Sequence, residues 1–196
     1  MKKHFFSFES GFGLAAVLVI MVLSGASVKA QNSACPNLDF SFRNFQNWIC
    51  QKSNSSSTQN TAYTALTWTG LSAVDPHHVI MVDLLEEDAN TCDGPAGHEK
   101  LRCVPDGFNQ SARIGNSNVG YEAECIKYTM SVDTNNALLL LHFAVVFQDP
   151  SHDAAIQPRF EMRIQDTNGN LLTTVPCNRY EVISKAGVSG FYDCGS

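Results

Sequence analysis

Thiols and imidazoles at short spacing make metal sites, and the cysteines of this chain do not offer that spacing. They stand at Cys35, Cys50, Cys92, Cys103, Cys125, Cys177 and Cys194. A zinc site announces itself as paired CxxC or Cys/His clusters, and no such pair occurs here. Structural disulfides are the expected use. Pairing neighbours gives Cys35 with Cys50, Cys92 with Cys103, and Cys177 with Cys194, although spacing alone leaves other pairings open. Cys125 is then left over, out of phase with Ile126, Tyr128 and Met130, and reads as a half-buried free thiol. A nucleophilic role would require a nearby base and a lowered pKa, and no neighbour in sequence supplies either.

The remaining polar groups point weakly to chemistry. His77 and His78 follow Pro76 at a strand entrance, and adjacent strand residues face opposite ways, so they do not chelate together. His142 sits within an apolar run and reads as a hydrogen-bonded core residue. Asp149, His152 and Asp153 are the densest polar group, in a turn after that run. An oxygen-rich turn can hold Ca²⁺, but a set that includes an imidazole suits calcium poorly. Glu122/Glu124 and Glu86/Glu87 are carboxylate pairs of the type glycosidases use, with surface acids the plainer explanation. Gly115 to Gly120 misses the nucleophile elbow by one residue, and HExxH is absent. No catalytic residue is assigned. Trp48, Tyr63, Trp68, Phe108 and Tyr121 could stack on sugar rings, although a β core needs aromatics in any case.

Composition sets the limits around these groups. The chain has 196 residues, of which 44% are hydrophobic and 16% charged, with a net charge of −6. Disorder combines low hydrophobicity with high net charge and is excluded on that ground. Nucleic acid is excluded as a partner because no Lys/Arg cluster exists to neutralise phosphates. Lys2, Lys3 and His4, an apolar core from Leu14 to Leu23, and Val28-Lys29-Ala30 have the order of a secretory signal peptide. Residues 1–30 are expected to be that leader, cleaved after Ala30, and residues 31–196 one domain. The apolar run is too short for a membrane span of about 20 residues, so no transmembrane helix is expected in the mature chain. Loss of Lys2, Lys3, Lys29 and Glu9 leaves 10 basic and 18 acidic side chains, a net charge of −8. All seven cysteines then enter an oxidising compartment.

The elements that must position these groups are strands. Ile126–Asp133 alternates apolar and polar residues, which places Ile126, Tyr128, Met130 and Val132 on one buried face. Arg159–Gln165 does the same with Phe160, Met162 and Ile164. Ala137–Phe147 is apolar on both faces and reads as a central covered strand, with a buried helix the alternative. Thr134-Asn135-Asn136 predicts a hairpin between the first run and the third. Asn168-Gly169 predicts another, returning Phe160–Asp166 onto Leu171–Val175. Asn37–Phe42, Thr61–Trp68 and His78–Leu85 are expected as strands, and Lys52–Asn60 as an exposed loop. Asp88–Phe108 is a long Gly- and Pro-rich loop that a Cys92–Cys103 bridge would staple. The fold class expected is all-β, an antiparallel β-sandwich of jelly-roll type held by disulfides.

Cys35-Pro36-Asn37-Leu38-Asp39-Phe40 followed by Asn44-Phe45-Gln46-Asn47-Trp48 resembles the opening of a domain of large secreted surface proteins of the Bacteroidota. Those proteins carry PKD or other immunoglobulin-like repeats and a gliding-motility or type IX sorting domain. Ser111–Asn116, Ala137–Gln148 leading into Asp149-Pro150-Ser151-His152, Gln157-Pro158-Arg159-Phe160 through Asp166, Gly169 and Cys177 keep the same order. The resemblance covers essentially all of residues 31–196. It implies an extracellular, adhesin-like or carbohydrate-binding domain without catalysis, whose partner is an extracellular glycan or matrix polymer. A structural N-terminal cap of a larger surface protein is the alternative, and an enzyme acting on polysaccharide comes third. Relatives continue past the segment matching Phe191–Gly195 into further domains, so a sandwich incomplete at its C-terminus is expected. Either this is a fragment of a longer product, the preferred reading, or a partner supplies the missing strands.

Overall fold

The computed structural model describes residues 35–54, 66–71, 76–94, 99–117, 121–134, 138–185 and 188–194, and the backbone of 2–6. The protein is all-β, its strands antiparallel throughout. Ten strands are present among the described residues: β1 (Lys2–Phe6), β2 (Trp48–Asn54), β3 (Thr69–Gly70), β4 (His78–Met81), β5 (Ser111–Ile114), β6 (Glu122–Tyr128), β7 (Val145–Asp149), β8 (Arg159–Arg163), β9 (Arg179–Ile183) and β10 (Phe191–Asp193). They form two three-stranded sheets, β10-β1-β7 and β3-β2-β6, and two two-stranded ladders, β4-β5 and β8-β9. No described helix is long and apolar enough to cross a membrane.

The apolar core lies where β7 meets the β8–β9 ladder and β10. Inward alternation along β7 buries Val145 and Phe147, which join Val182 of β9, with Phe143, Phe160, Val188 and Phe191 packed around them. Phe147 stacks on Phe191 at 5.7 Å, and Phe143 on Phe160 at 5.2 Å. The other face of β8–β9 is charged. Register places Glu161 directly opposite Glu181, a pairing that is repulsive unless cations intervene. Three arginines intervene. Arg163 and Arg179 both bond Glu161, at 2.6 and 2.5 Å, while Arg159 and Arg179 bond Glu181 at 2.9 and 3.0 Å.

The β2–β6 pairing is the longest ladder, running from Trp48↔Tyr128 to Asn54↔Glu122. Its register explains why Cys50 and Cys125 remain thiols. Cys50 opposes Ile126 and Cys125 opposes Gln51, so the two side chains leave the sheet on opposite faces.

Several expectations are corrected. The strand of Ile126–Asp133 is shifted toward the N-terminus: β6 begins at Glu122 and ends at Tyr128, and Val132 is exposed. Its partner is β2, so the hairpin with Ala137–Phe147 does not form. Only its last three residues, 145–147, are strand, at the start of β7. Leu138 and Leu140, 78% and 74% exposed, precede it outside any strand. An all-apolar run has no alternation to say where a sheet begins, so its length overstated the strand. Asn37–Phe42 is a series of turns, with Asn37 and Phe40 at positive φ. His78–Leu85 stops being strand after Met81. Of Thr61–Trp68, residues 61–65 lie outside the described residues and 66–68 are not strand. Lys52–Asn60 begins as the end of β2, and 55–60 lie outside the described residues.

The Asn168-Gly169 turn forms. Gly169 takes a φ of 84° and donates its N–H to the Asp166 carbonyl, while Asp166 Oδ1 accepts from the N–H groups of Asn168 and Asn170. The returning chain makes one bridge, Gln165↔Leu171, and loops out before β9 supplies the ladder for β8.

Neighbour pairing of the cysteines is likewise overturned. Cys92 bonds Cys194, 102 residues away, with a Cα–Cα distance of 5.4 Å. Cys103 and Cys177 therefore lack the partners assigned to them, and Cys35 and Cys50 are also thiols in this structure. The chain fold, which brings β10 back beside the Asp88–Gly94 loop, decides the pairing; sequence distance does not. Tyr192 reinforces the closure by donating its hydroxyl to the Cys92 carbonyl at 3.4 Å. A loop of this length has a large closure entropy, about 4–5 kcal/mol in the chain-entropy account. The Cys92→Ser/Cys194→Ser double variant is accordingly expected to lose about 2–5 kcal/mol in urea unfolding. A loss under about 1 kcal/mol would mean that the crosslink constrains little.

Candidate functional site

Three potential ligands converge beside the end of the β4–β5 ladder where His77 meets Gly115. Glu122 and Glu124 are two residues apart on β6, so both carboxylates leave the sheet on one face. His77 arrives from the residue before β4. Gly115 anchors it, at a φ of 92° that favours glycine, by donating its N–H to the His77 carbonyl at 2.8 Å. His77 Nε2 lies 3.4 Å from Glu122 Oε2, and the ligand atoms of all three residues fall within 4.8 Å of one another. Asn116 Nδ2 donates to Glu122 Oε2 at 3.1 Å. Lys52 stands opposite Glu124 in the β2–β6 register. Glu122 and Glu124 were readable as a pair from their spacing. The histidine was not, because 45 positions separate it from Glu122 and only the folded ladders join them.

His78 takes a different role from its neighbour. It is buried, its Nε2 is 3.1 Å from the Cys125 carbonyl oxygen, and Phe45 meets it edge-on at 6.0 Å.

Asp149, His152 and Asp153 do not assemble: their ligand atoms do not gather within 4.8 Å of one another. Asp149 ends β7 on its buried face, and its Oδ1 accepts from the Ser151 N–H and from Gln157 Nε2, both at 2.8 Å. That oxygen closes the turn. His152 and Asp153 point outward, exposed.

Cys125 and Cys103 are not poised as nucleophiles. Burial pushes the Cys125 thiol up, against a smaller opposing effect of Lys127. Burial also raises Cys103, helped by Asp88 and Glu86 and opposed by Arg113. A raised thiol pKa keeps the proton on sulfur at neutral pH.

The aromatics divide between inside and outside. Trp48 packs against Phe40 and Tyr128, and serves the fold. Phe108, 44% exposed, is different. With Leu84, Leu85, Val104 and Pro105 it lines an open cavity of about 260 Å³, whose polar side is Arg102 and Asp106 joined at 3.0 Å. His142 lies against the Phe108 ring at 5.0 Å. The expected core role of His142 is thus replaced by an exposed one, because the run that carries it does not enter a sheet at that point. Tyr121 is also exposed; Tyr63 lies outside the described residues. The Arg102–Asp106 pair at this cavity was missed in the sequence, where nothing sets it apart from other surface charges.

Compared with known proteins, the chain matches no family model, no curated protein and no solved structure.

The strongest electrostatic feature lies away from both places. Burial would raise the Glu161 carboxyl, but hydrogen bonds from Arg163 and Arg179 outweigh it and hold the group below its ordinary 4.5. A depressed folded-state pKa contributes stability above the unfolded value, and that stability is lost as pH falls through the folded value. Urea midpoints are therefore expected to fall from about pH 5 downward, and Glu161→Gln should flatten that acid limb while lowering stability at neutral pH. An unchanged acid limb in Glu161→Gln would show that other carboxylates set it.

Proposed function

We propose that this chain is a non-catalytic recognition domain of a secreted or cell-surface protein, adhesin-like, that holds an extracellular glycan or matrix polymer. The observation that carries the reading is the Phe108 cavity. A sugar has an apolar C–H face that packs on an aromatic ring, and hydroxyls that bond to charged planar groups. Phe108 offers the first surface and the Arg102–Asp106 pair the second, both lining the same cavity. At about 260 Å³ the cavity suits one unit of a polymer, being smaller than the pockets that enclose whole small molecules. The leader pattern of residues 1–30 and the resemblance to Bacteroidota surface domains support the location. A jelly-roll-like sandwich is the arrangement of the β-sheets that this reading favours.

A structural cap of a larger surface protein is the second reading, and Leu138–Leu141 favours it. That exposed apolar stretch is the type of surface a neighbouring domain covers. A polysaccharide-cleaving enzyme is disfavoured by Glu122 and Glu124, which stand side by side on one strand instead of across a cleft.

A glycan array with the folded protein tests the reading. Binding is expected to at least one acidic-free polysaccharide class, and Phe108→Ala should weaken it about tenfold, the scale of one aromatic contact. No binding across the array, or binding indifferent to Phe108→Ala, would overturn it. Export is tested separately: the N-terminal peptide of protein recovered outside the cell is expected to begin at Gln31, and an intact Met1 or Lys2 terminus would exclude cleavage after Ala30.

A further inference from the structure

We infer that His77, Glu122 and Glu124 form a binding site for a divalent transition-metal ion of the zinc class. The inference is independent of the glycan reading, since the Phe108 cavity shares no residue with it. Three arguments carry it. The first is donor type. One imidazole nitrogen and two carboxylate oxygens are a borderline-hard set that suits zinc and its first-row neighbours; Ca²⁺ wants six or more oxygens, and Mg²⁺ retains its waters. The second is the span between donors. Zinc bonds of about 2.0–2.1 Å at tetrahedral angles set neighbouring ligand atoms about 3.3–3.4 Å apart. His77 Nε2 and Glu122 Oε2 already stand 3.4 Å apart, and the third ligand atom is within 4.8 Å, a distance that a side-chain rotation closes.

The third argument is construction. Two donors come from a strand paired along its whole length with β2, and the other is held by the Gly115 N–H on its own carbonyl. Asn116 fixes the Glu122 carboxylate from outside, as the hydrogen-bonded neighbours of metal ligands do. With histidine neutral, the two carboxylates carry two negative charges, which a divalent ion balances. Lys52, opposite Glu124 in register, is the cation that such an ion would displace or crowd. Three protein ligands leave a fourth position open to water or to an oxygen donor of a ligand.

Calorimetric titration of the full chain with ZnCl₂, and with CoCl₂ followed by visible absorption, tests this. One ion per chain is expected, with Mg²⁺ and Ca²⁺ unable to compete at equal concentration. His77→Ala should weaken Zn²⁺ binding at least about thirtyfold. Glu124→Gln, an isosteric change on an intact strand, should weaken it about tenfold with an unaltered circular dichroism spectrum. The thiols of Cys35, Cys50, Cys103, Cys125 and Cys177 are the competing zinc ligands. A thiolate-to-cobalt charge-transfer band would assign the ion to them and overturn the proposal. No heat with ZnCl₂, or undiminished binding in both variants, would do the same.

Discussion

The carboxamide of Asn37 is the constraint on which the N-terminal half depends. The residue is 3% exposed, and its side chain is fully engaged by the backbone around it. Nδ2 donates to the carbonyls of Asn44 and Gln46 at 3.0 and 2.7 Å, and Oδ1 accepts from the Phe42 N–H at 2.8 Å. Its own carbonyl accepts from the Trp48 indole at 2.8 Å. One small polar side chain thus replaces a ladder for a segment that has none. Asn is suited to it on a second count, because its φ of 63° lies where asparagine is tolerated best among residues with a side chain. The indole bond fixes where β2 begins. From Trp48 the β2–β6 register follows, and Tyr128 closes the loop by donating its hydroxyl to the Pro36 carbonyl at 2.7 Å. Glu122 and Glu124 take their places from that register. A polar knot at one end of the ladder therefore sets the geometry of the acidic face at the other.

Polar and covalent devices carry much of this fold because the apolar core is small. Met81, Val104, Val145, Phe147 and Val182 are the buried hydrophobic residues among those described. The Cys92–Cys194 bond reduces the entropy to be lost. The Arg–Glu lattice on β8–β9 makes a ladder of otherwise repelling carboxylates into a favourable one. These two devices act in the C-terminal half as Asn37 acts in the N-terminal half.

Strand class was legible in part where side chains alternate. Phe160 and Met162 share a face of β8 and Phe160 packs on the core, as alternation required, and Asn168-Gly169 made its turn. Ile164 and Val132, expected on the same buried faces, lie past the ends of β8 and β6 and are exposed. Legibility failed for two physical reasons. The run Ala137–Phe147 has no polar residue but His142, so periodicity could not say that pairing starts at Val145. Contacts between distant residues had no local signature at all: Cys92 with Cys194, His77 with Glu122, and β8 with β9 across a fifteen-residue return are consequences of the closed chain. The cysteine guess erred because it took sequence distance as a measure of spatial distance. For the candidate metal site, half was written locally, in the two-residue spacing of Glu122 and Glu124 on a strand.

The N-terminus presents a competition between two uses of the same residues. Lys2–Phe6 is the basic start of the expected leader, and it is also β1, the middle strand of β10-β1-β7, paired from Lys2↔Asp149 to Phe6↔Val145 on one side and from His4↔Asp193 to Phe6↔Phe191 on the other. Both cannot hold in one molecule after cleavage, for the strand would leave with the leader. The sheet described has Lys2–Phe6 in place as its middle strand. Removal of β1 would bare one edge each of β7 and β10, and bare edges recruit strands. Phe147 and Phe191, stacked at 5.7 Å, would still hold those two strands to a common core. The disulfide, by tethering Cys194 one residue after β10, keeps that strand from drifting away. The covalent staple would thus matter most in a chain that lacked β1, where hydrogen bonding through β1 would no longer join β10 to β7.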